Sequence, residues 1–147
     1  MYKHILIPTD GSATSEKAVR NGIAFARSIR ARVTGFTALP EYRIPSDMEV
    51  MSRNVISPAE HEKRARRKAK ALLERFARRA KAAGVKFATD YALSNLPYDA
   101  IIAAAKKHRC DLIFIASHGR RGFSAFLHGS QTQGVLANSK IPTLIYR

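Results

Sequence analysis

Short apolar runs alternate along the chain with longer segments of helical periodicity. The strand-like runs cover residues 4–9, 31–39, 85–93, 111–117 and 142–146. Apolar residues recur at helical spacing between them, over residues 12–29, 58–83, 95–108 and 130–138. The pattern predicts the element order β-α-β-α-β-α-β-α-β, with a proline-containing loop between the second strand and the second helix.

Strict alternation of strands and helices predicts a parallel sheet covered by helices on both faces. Right-handed crossovers restrict how such strands are ordered. Ligands of these sheets bind beyond the carboxyl ends of the strands, where the strand order reverses. Two loops at such ends carry reactive residue types: "PTDGS" over residues 8–12 and "SHGRRGFSAFLHGSQ" over residues 117–131. If strands 1 and 4 are neighbours, these loops face one another across one crevice.

The second loop combines glycines with positive charge immediately before a helix. Gly129 and Ser130 stand where free N–H groups and the helix dipole favour a phosphate. Gly119 and Gly122 permit a close approach of backbone to ligand. Further donors or charges come from His118, Arg120, Arg121 and His128. A glycine-rich connection with a solvated basic rim explains the same residues about equally well, since neither GxxxxGK[ST] nor GxGxxG occurs.

Composition adds a strong charge bias to this picture. The 147 residues carry a formal net charge of +15, which favours anionic partners, and their number predicts one domain spanning 1–147. A single cysteine, Cys110, excludes an intramolecular disulfide and fits a reducing compartment. The N-terminus lacks a signal-peptide pattern, and no apolar run approaches the ~18 residues of a membrane span. We therefore expect a soluble, cytoplasmic protein.

Two features have rival interpretations. Asp10 belongs either to the crevice or to a cap of the first helix. The basic helix region over residues 63–86 is more simply a solvated face than a contact for nucleic acid or an acidic membrane, because no aromatic residues interleave its charges. Any nucleic-acid binding is expected to be weak, indifferent to sequence and dependent on salt. The histidines show no metal-ligand spacing, and no GxSxG motif occurs, so neither a metal site nor a catalytic site is predicted.

The two loops carry a resemblance to the universal stress proteins of the UspA family. "ILIPTDGSATSEKAVRNGIAFA" (residues 5–26) is similar to that family's first strand, aspartate turn and helix. "DLIFIASHGRRGFSAFLHGS" (residues 111–130) resembles its nucleotide-loop signature, G-x2-G-x9-G-[ST]. Gly119, nine further residues, Gly129 and Ser130 match this pattern, while Ala116 stands at its first glycine.

The resemblance implies a three-layer α/β sandwich of the adenine nucleotide α-hydrolase-like type, with five parallel strands in order 3-2-1-4-5 and four helices. It also implies a regulatory module of the stress response that binds ATP, possibly with Mg²⁺. Because no residue supplies an evident general base for water, we expect at most slow hydrolysis of ATP and do not expect an enzyme. The implied nucleotide-binding residues are Pro8, Thr9, Asp10, Ala38, Ala116, Gly119, Arg120, Gly129, Ser130, Gln131 and Thr132.

Each of these residues has an implied role. Thr9 and Ala38 would frame the adenine, and Asp10 would meet the ribose or a phosphate-bound metal. Ala116 and Gly119 would border the ribose and phosphates. The phosphates would lie against residues 129–132, with Gln131 and Thr132 acting mainly through N–H groups, while Arg120 and Arg121 would lie over the triphosphate or point into solvent.

The last strand is predicted to join two copies of the chain. Residues 141–147, "IPTLIYR", form an edge strand in the implied order, and an exposed edge offers unpaired N–H and C=O groups. Members of the UspA family commonly dimerise through this strand, so the resemblance implies a homodimer. The alternative function is a nucleotide-free interaction protein whose basic surface contacts nucleic acid, membrane or a protein partner.

Overall fold

The computed structural model describes residues 1–117 and 129–147. Its strands are β1 (His4–Pro8), β2 (Arg32–Leu39), β3 (Phe87–Leu93), β4 (Leu112–Ala116) and β5 (Thr143–Tyr146). Its helices are α1 (Ala13–Ser28), α2 (Asp47–Met51), α3 (Pro58–Ala82), α4 (Pro97–Lys107) and α5 (Gly129–Asn138). Two predicted site residues, Gly119 and Arg120, lie outside the described residues.

The strands form one parallel sheet in the order β3-β2-β1-β4-β5. Ile5 of β1 is in register with Leu112 of β4, so β1 and β4 are neighbours. The predicted strand order is therefore confirmed. The strand order reverses beside β1, because β2 follows on one side of it and β4 on the other.

The predicted helices are present, and α2 is a fifth helix that the sequence did not predict. The serine at its N-cap, Ser46, forms a capping box with Glu49. Arg43 donates to the Glu49 carboxylate at 2.6 Å and holds the pKa of that carboxyl at about 2. The helix buries no side chain, so no apolar period marks it in the sequence.

Helices cover both faces of the sheet. On one face α1 lies beside α3, and on the other α4 lies beside α5. β1 and β4 are buried along their whole length, as expected for central strands with both faces covered. Gly35 of β2 is required by this packing, because a Cβ there would lie 2.5 Å from the buried ring of Phe76 on α3. This central packing fixes where the carboxyl ends of β1, β2 and β4 lie.

Candidate functional site

A cavity of about 400 Å³ opens at the carboxyl ends of the strands. Asp10 from the loop after β1, Ala38 from β2 and Gln131 from α5 line it, although they are far apart in sequence. The structure thus brings three of the predicted site residues to one cavity. Its other lining residues are Thr37, Leu39, Pro40, Lys68, Leu72, Ser94, Asn95 and Pro97.

The turn that holds Asp10 is fixed by its own hydrogen bonds. Asp10 Oδ1 accepts from the backbone N–H of Ser12 at 2.9 Å. The cap of α1 is Ser12, whose hydroxyl oxygen accepts from the N–H of Ser15 at 3.2 Å. The alternative interpretation of Asp10 as the helix cap is therefore wrong: its carboxylate shapes the preceding turn and lines the cavity.

Pro8 and Thr9 support this turn and do not line the cavity. Pro8 ends β1 and is buried. The N–H of Thr9 donates to the carbonyl of Phe36 at 2.8 Å, which ties the turn to β2. The Thr9 hydroxyl accepts from the N–H of Gly11 at 3.2 Å and also contacts the Ser15 hydroxyl. Gly11 has a φ of +81°, a conformation that a residue with a side chain rarely adopts.

The side chains at the start of α5 are engaged within the protein. Gln131 Oε1 accepts from the N–H of Tyr98 at 2.9 Å, at the beginning of α4, where the N-cap residue Leu96 makes no side-chain capping bond. The buried Thr132 hydroxyl donates to the carbonyl of Ala116 at 3.2 Å. A helix start also offers N–H groups without a partner in the helix.

Ala116, at the end of β4, contacts α5 and not the cavity. Ala116 is fully buried and is in register with Tyr146 of β5. It does not line the cavity, although its carbonyl anchors Thr132. Gly129 and Ser130 form the first positions of α5, directly before Gln131. The residue at the first signature position thus belongs to the packed sheet.

Sequence reasoning missed Lys68 and Thr37. Lys68 is the one cationic side chain among the described lining residues, and it lies on α3 four positions before Leu72. Residues four apart share a helix face, so Lys68 borders the apolar face of α3 that includes Leu72. Thr37 is fully buried, and its hydroxyl has no hydrogen-bond partner within residues 1–117 and 129–147. In the sequence, the only indication that Thr37 belongs to the site was its position on β2 next to Ala38.

Residues 1–117 and 129–147 contain no group of three or more His, Cys, Asp or Glu side chains placed to hold a metal ion. No described helix is both long enough and apolar enough to cross a membrane.

The doubly wound sheet and the cavity at its strand-order reversal define an α/β fold of the kind whose ligands bind at a topological switch point. The model of the universal stress protein family matches residues 1–147, and the chain belongs to that family. The resemblance found in the two loops is therefore confirmed.

Individual relatives align with nearly the whole chain. The chain is 30% identical over 152 residues to universal stress protein MJ0531 of Methanocaldococcus jannaschii, covering 100% of this chain and 83% of that protein. The solved structure of MJ0577, a protein of the same organism, has a TM-score of 0.75 at 26% identity and covers 99% of this chain and 95% of that one. A universal stress protein solved in complex with cAMP has a TM-score of 0.69 at 25% identity, with coverages of 99% and 97%.

Proposed function

We propose that this protein is a regulatory module of the stress response that binds ATP in the cavity at the carboxyl ends of its strands. The observation that carries the proposal is the convergence of Asp10, Ala38 and Gln131 on one cavity of about 400 Å³ beside the start of α5. The complex of a related universal stress protein with cAMP supports an adenine nucleotide as the ligand class. The proposal assigns binding and no catalytic step.

The residues present fit an adenine nucleotide. Thr37 lines the cavity, and its buried hydroxyl lacks a hydrogen-bond partner among the described residues. Ala38 offers a small side chain and backbone groups next to it, which suits a planar base. Asp10 supplies carboxylate oxygens, which are suitable acceptors for ribose hydroxyls or ligands for Mg²⁺.

The phosphates are assigned to the start of α5 and to α3. Gly129 and Ser130 provide backbone N–H groups at the positive end of the α5 dipole. Lys68 adds a cation from the opposite wall of the cavity. Gly119 and Arg120, outside the described residues, keep their proposed places beside the phosphates on the signature spacing alone.

A thermal-shift experiment tests this assignment. Because ATP binds only the folded protein, ATP with Mg²⁺ at one hundred times Kd should stabilise the fold by about 2.7 kcal/mol. Gly129→Val should remove the shift, since its side chain would crowd the phosphates. Lys68→Ala should reduce it, whereas Lys70→Ala, on the same helix but outside the cavity, should leave it unchanged. No shift for the wild type at millimolar ATP would contradict the proposal.

The second candidate function, binding of nucleic acid or an acidic surface by α3, has weaker support. Three i, i+4 ion pairs along α3 partly neutralise its exposed face: Arg64–Glu60, Arg66–Glu62 and Lys70–Glu74. Glu16 of α1 binds two more of its arginines, Arg75 and Arg79. Binding through this face is therefore proposed to be weak and to vanish as salt rises.

We also propose that two copies of the protein pair through β5. β5 lies at the edge of the sheet and is half-buried along its length. Leu144, Ile145 and Tyr146 pack against the core, so the strand is held in place and presents its free edge for pairing. Two such edges related by a two-fold axis would form an antiparallel pair.

A further inference from the structure

A second cavity, of about 720 Å³, lies at the opposite end of the sheet, where the strands begin. We refer to it as the amino-end cavity. It is lined by six exposed cationic side chains: Lys3, Arg27, Arg30, Arg32, Lys86 and Arg109. One carboxylate, Asp111, lines it as well. Neither the resemblance nor the proposed ATP site involves these residues.

The sheet itself holds three of the cations, Lys3, Arg32 and Lys86, side by side. The carbonyl of Lys3 accepts from the N–H of Arg32 at 3.0 Å, and the carbonyl of Lys86 accepts from the N–H of Val33 at 2.9 Å. The chain segments entering β1, β2 and β3 are therefore adjacent. Neighbouring strands lie about 4.8 Å apart, so these like charges are crowded by the fold and not by a mobile surface loop.

The local negative charge is too small to neutralise this cluster. Asp111 accepts from the backbone N–H groups of Lys3 and His4, each at 2.9 Å. The carboxyl ends of α1, α3 and α4 also point to this end of the sheet, and each contributes about half a negative charge. Together these amount to about two and a half negative charges against six positive ones. Within the described residues, none of the six cations forms an ion pair.

Two of these arginines occupy positions that favour glycine. Arg30 follows α1 with a φ of 57°, and Arg109 follows α4 with a φ of 54°. The equivalent position after α3 is Gly84, with a φ of 68°. A left-handed conformation costs a residue with a side chain about 1–2 kcal/mol, so the backbone does not explain an arginine at either place.

We propose that the amino-end cavity binds a small anion that carries several phosphate groups. A net positive, concave site holds several phosphate oxygens at once through charge-assisted hydrogen bonds. Apart from the buried His4, no aromatic residue of the described ranges lines it, so these residues offer no platform on which the bases of a single strand would stack. Its concave shape also suits a compact ligand better than a flat membrane.

Calorimetric titration of the full chain with inorganic tripolyphosphate tests the proposal. The key variant is Arg30→Gly combined with Arg109→Gly, which removes two cavity charges at positions where glycine is favoured. Its affinity for tripolyphosphate should fall at least tenfold while its melting temperature stays equal or rises. The matched control is Arg53→Gly, because Arg53 also has a positive φ, of 56°, but lies outside the cavity. It should bind within twofold of the wild type.

A third variant separates this site from the proposed ATP site. Gly129→Val should leave tripolyphosphate binding to the amino-end cavity in place. The proposal is overturned if the wild type does not bind tripolyphosphate, if Gly129→Val abolishes the binding, or if Arg53→Gly weakens it as much as the double variant. It is also overturned if single-stranded DNA displaces tripolyphosphate at equal phosphate concentration, since that would assign the cavity to nucleic acid.

Discussion

The contact between α4 and α5 gives a sharp test of how the start of α5 is positioned. Gly134 of α5 faces Tyr98 of α4, and a Cβ at Gly134 would lie 2.6 Å from Cγ and 2.7 Å from Cδ1 of the tyrosine ring. Carbon atoms pack best at about 3.5–4.0 Å, so Gly134→Ala creates an overlap of roughly 1 Å. The atoms concerned lie near the tyrosine backbone and cannot swing away, so α5 itself has to move.

Gly134→Ala has two effects on the free energy of unfolding, which are opposite in sign and can be measured separately. Overpacking costs about 1–3 kcal/mol, whereas replacing glycine by alanine inside a helix gains about 1 kcal/mol. Gly134→Ala should therefore lower the free energy of unfolding by about 1 kcal/mol in the wild type. In a Tyr98→Ala background the ring is absent and only Cβ of residue 98 remains, 3.0 Å from the added methyl carbon. The same substitution should then raise the free energy of unfolding by between about 0 and 1 kcal/mol.

Urea denaturation of the four proteins measures this double-mutant cycle. Tyr98→Ala keeps the backbone N–H that donates to Gln131, so this substitution does not remove the donor of that bond. We expect a coupling energy of about 1–2 kcal/mol, together with weaker ATP binding in the single variant Gly134→Ala because the start of α5 is displaced. Equal effects of Gly134→Ala in both backgrounds would refute this packing argument.

Two further predictions concern assembly and pH. Leu144→Asp should convert the proposed dimer to a monomer in light scattering at moderate salt, because it places a charge on the paired strand; a monomeric wild type at micromolar concentration would contradict the dimer. Burial, aided by the charge of Arg32, lowers the pKa of His4, so the His4 imidazole binds a proton more readily in the unfolded chain than in the folded one. The free energy of unfolding should therefore fall as the pH drops below about 6.5, and His4→Gln should reduce that loss in urea titrations at pH of about 7 and 5; an unchanged loss would rule out His4 as its source.

The alternation of strands and helices was predictable because local and global signals agree along this chain. β1 and β4 are short continuous apolar runs, and the helices between strands have clear periodicity, so the alternation was visible before any contact was known. The order of the strands came from the resemblance carried by the two loops. The sequence did not predict α2, because this helix is stabilised by a capping box and an exposed ion pair and has no apolar period.

The candidate site was predictable only in part, for physical reasons. Asp10 and Gln131 lie in or beside the two loops that the sequence singled out, and the resemblance implied their places in the site. Lys68 reaches the cavity only through the way α3 lies across the sheet, and periodicity does not encode that crossing. Thr37 is notable because its hydroxyl lacks a hydrogen-bond partner among the described residues, and this depends on all the groups that surround it. Such properties appear only when the tertiary contacts are known.

Calorimetric titration of the nucleotide-free protein with ATP in the presence of Mg²⁺ tests the proposed ATP site most directly. We expect saturable binding of one ATP per chain, lost in Gly129→Val and weakened in Lys68→Ala, with Lys70→Ala equal to the wild type. A wild-type protein that shows no binding at millimolar ATP, or a Gly129→Val protein that binds as tightly as the wild type, would contradict it.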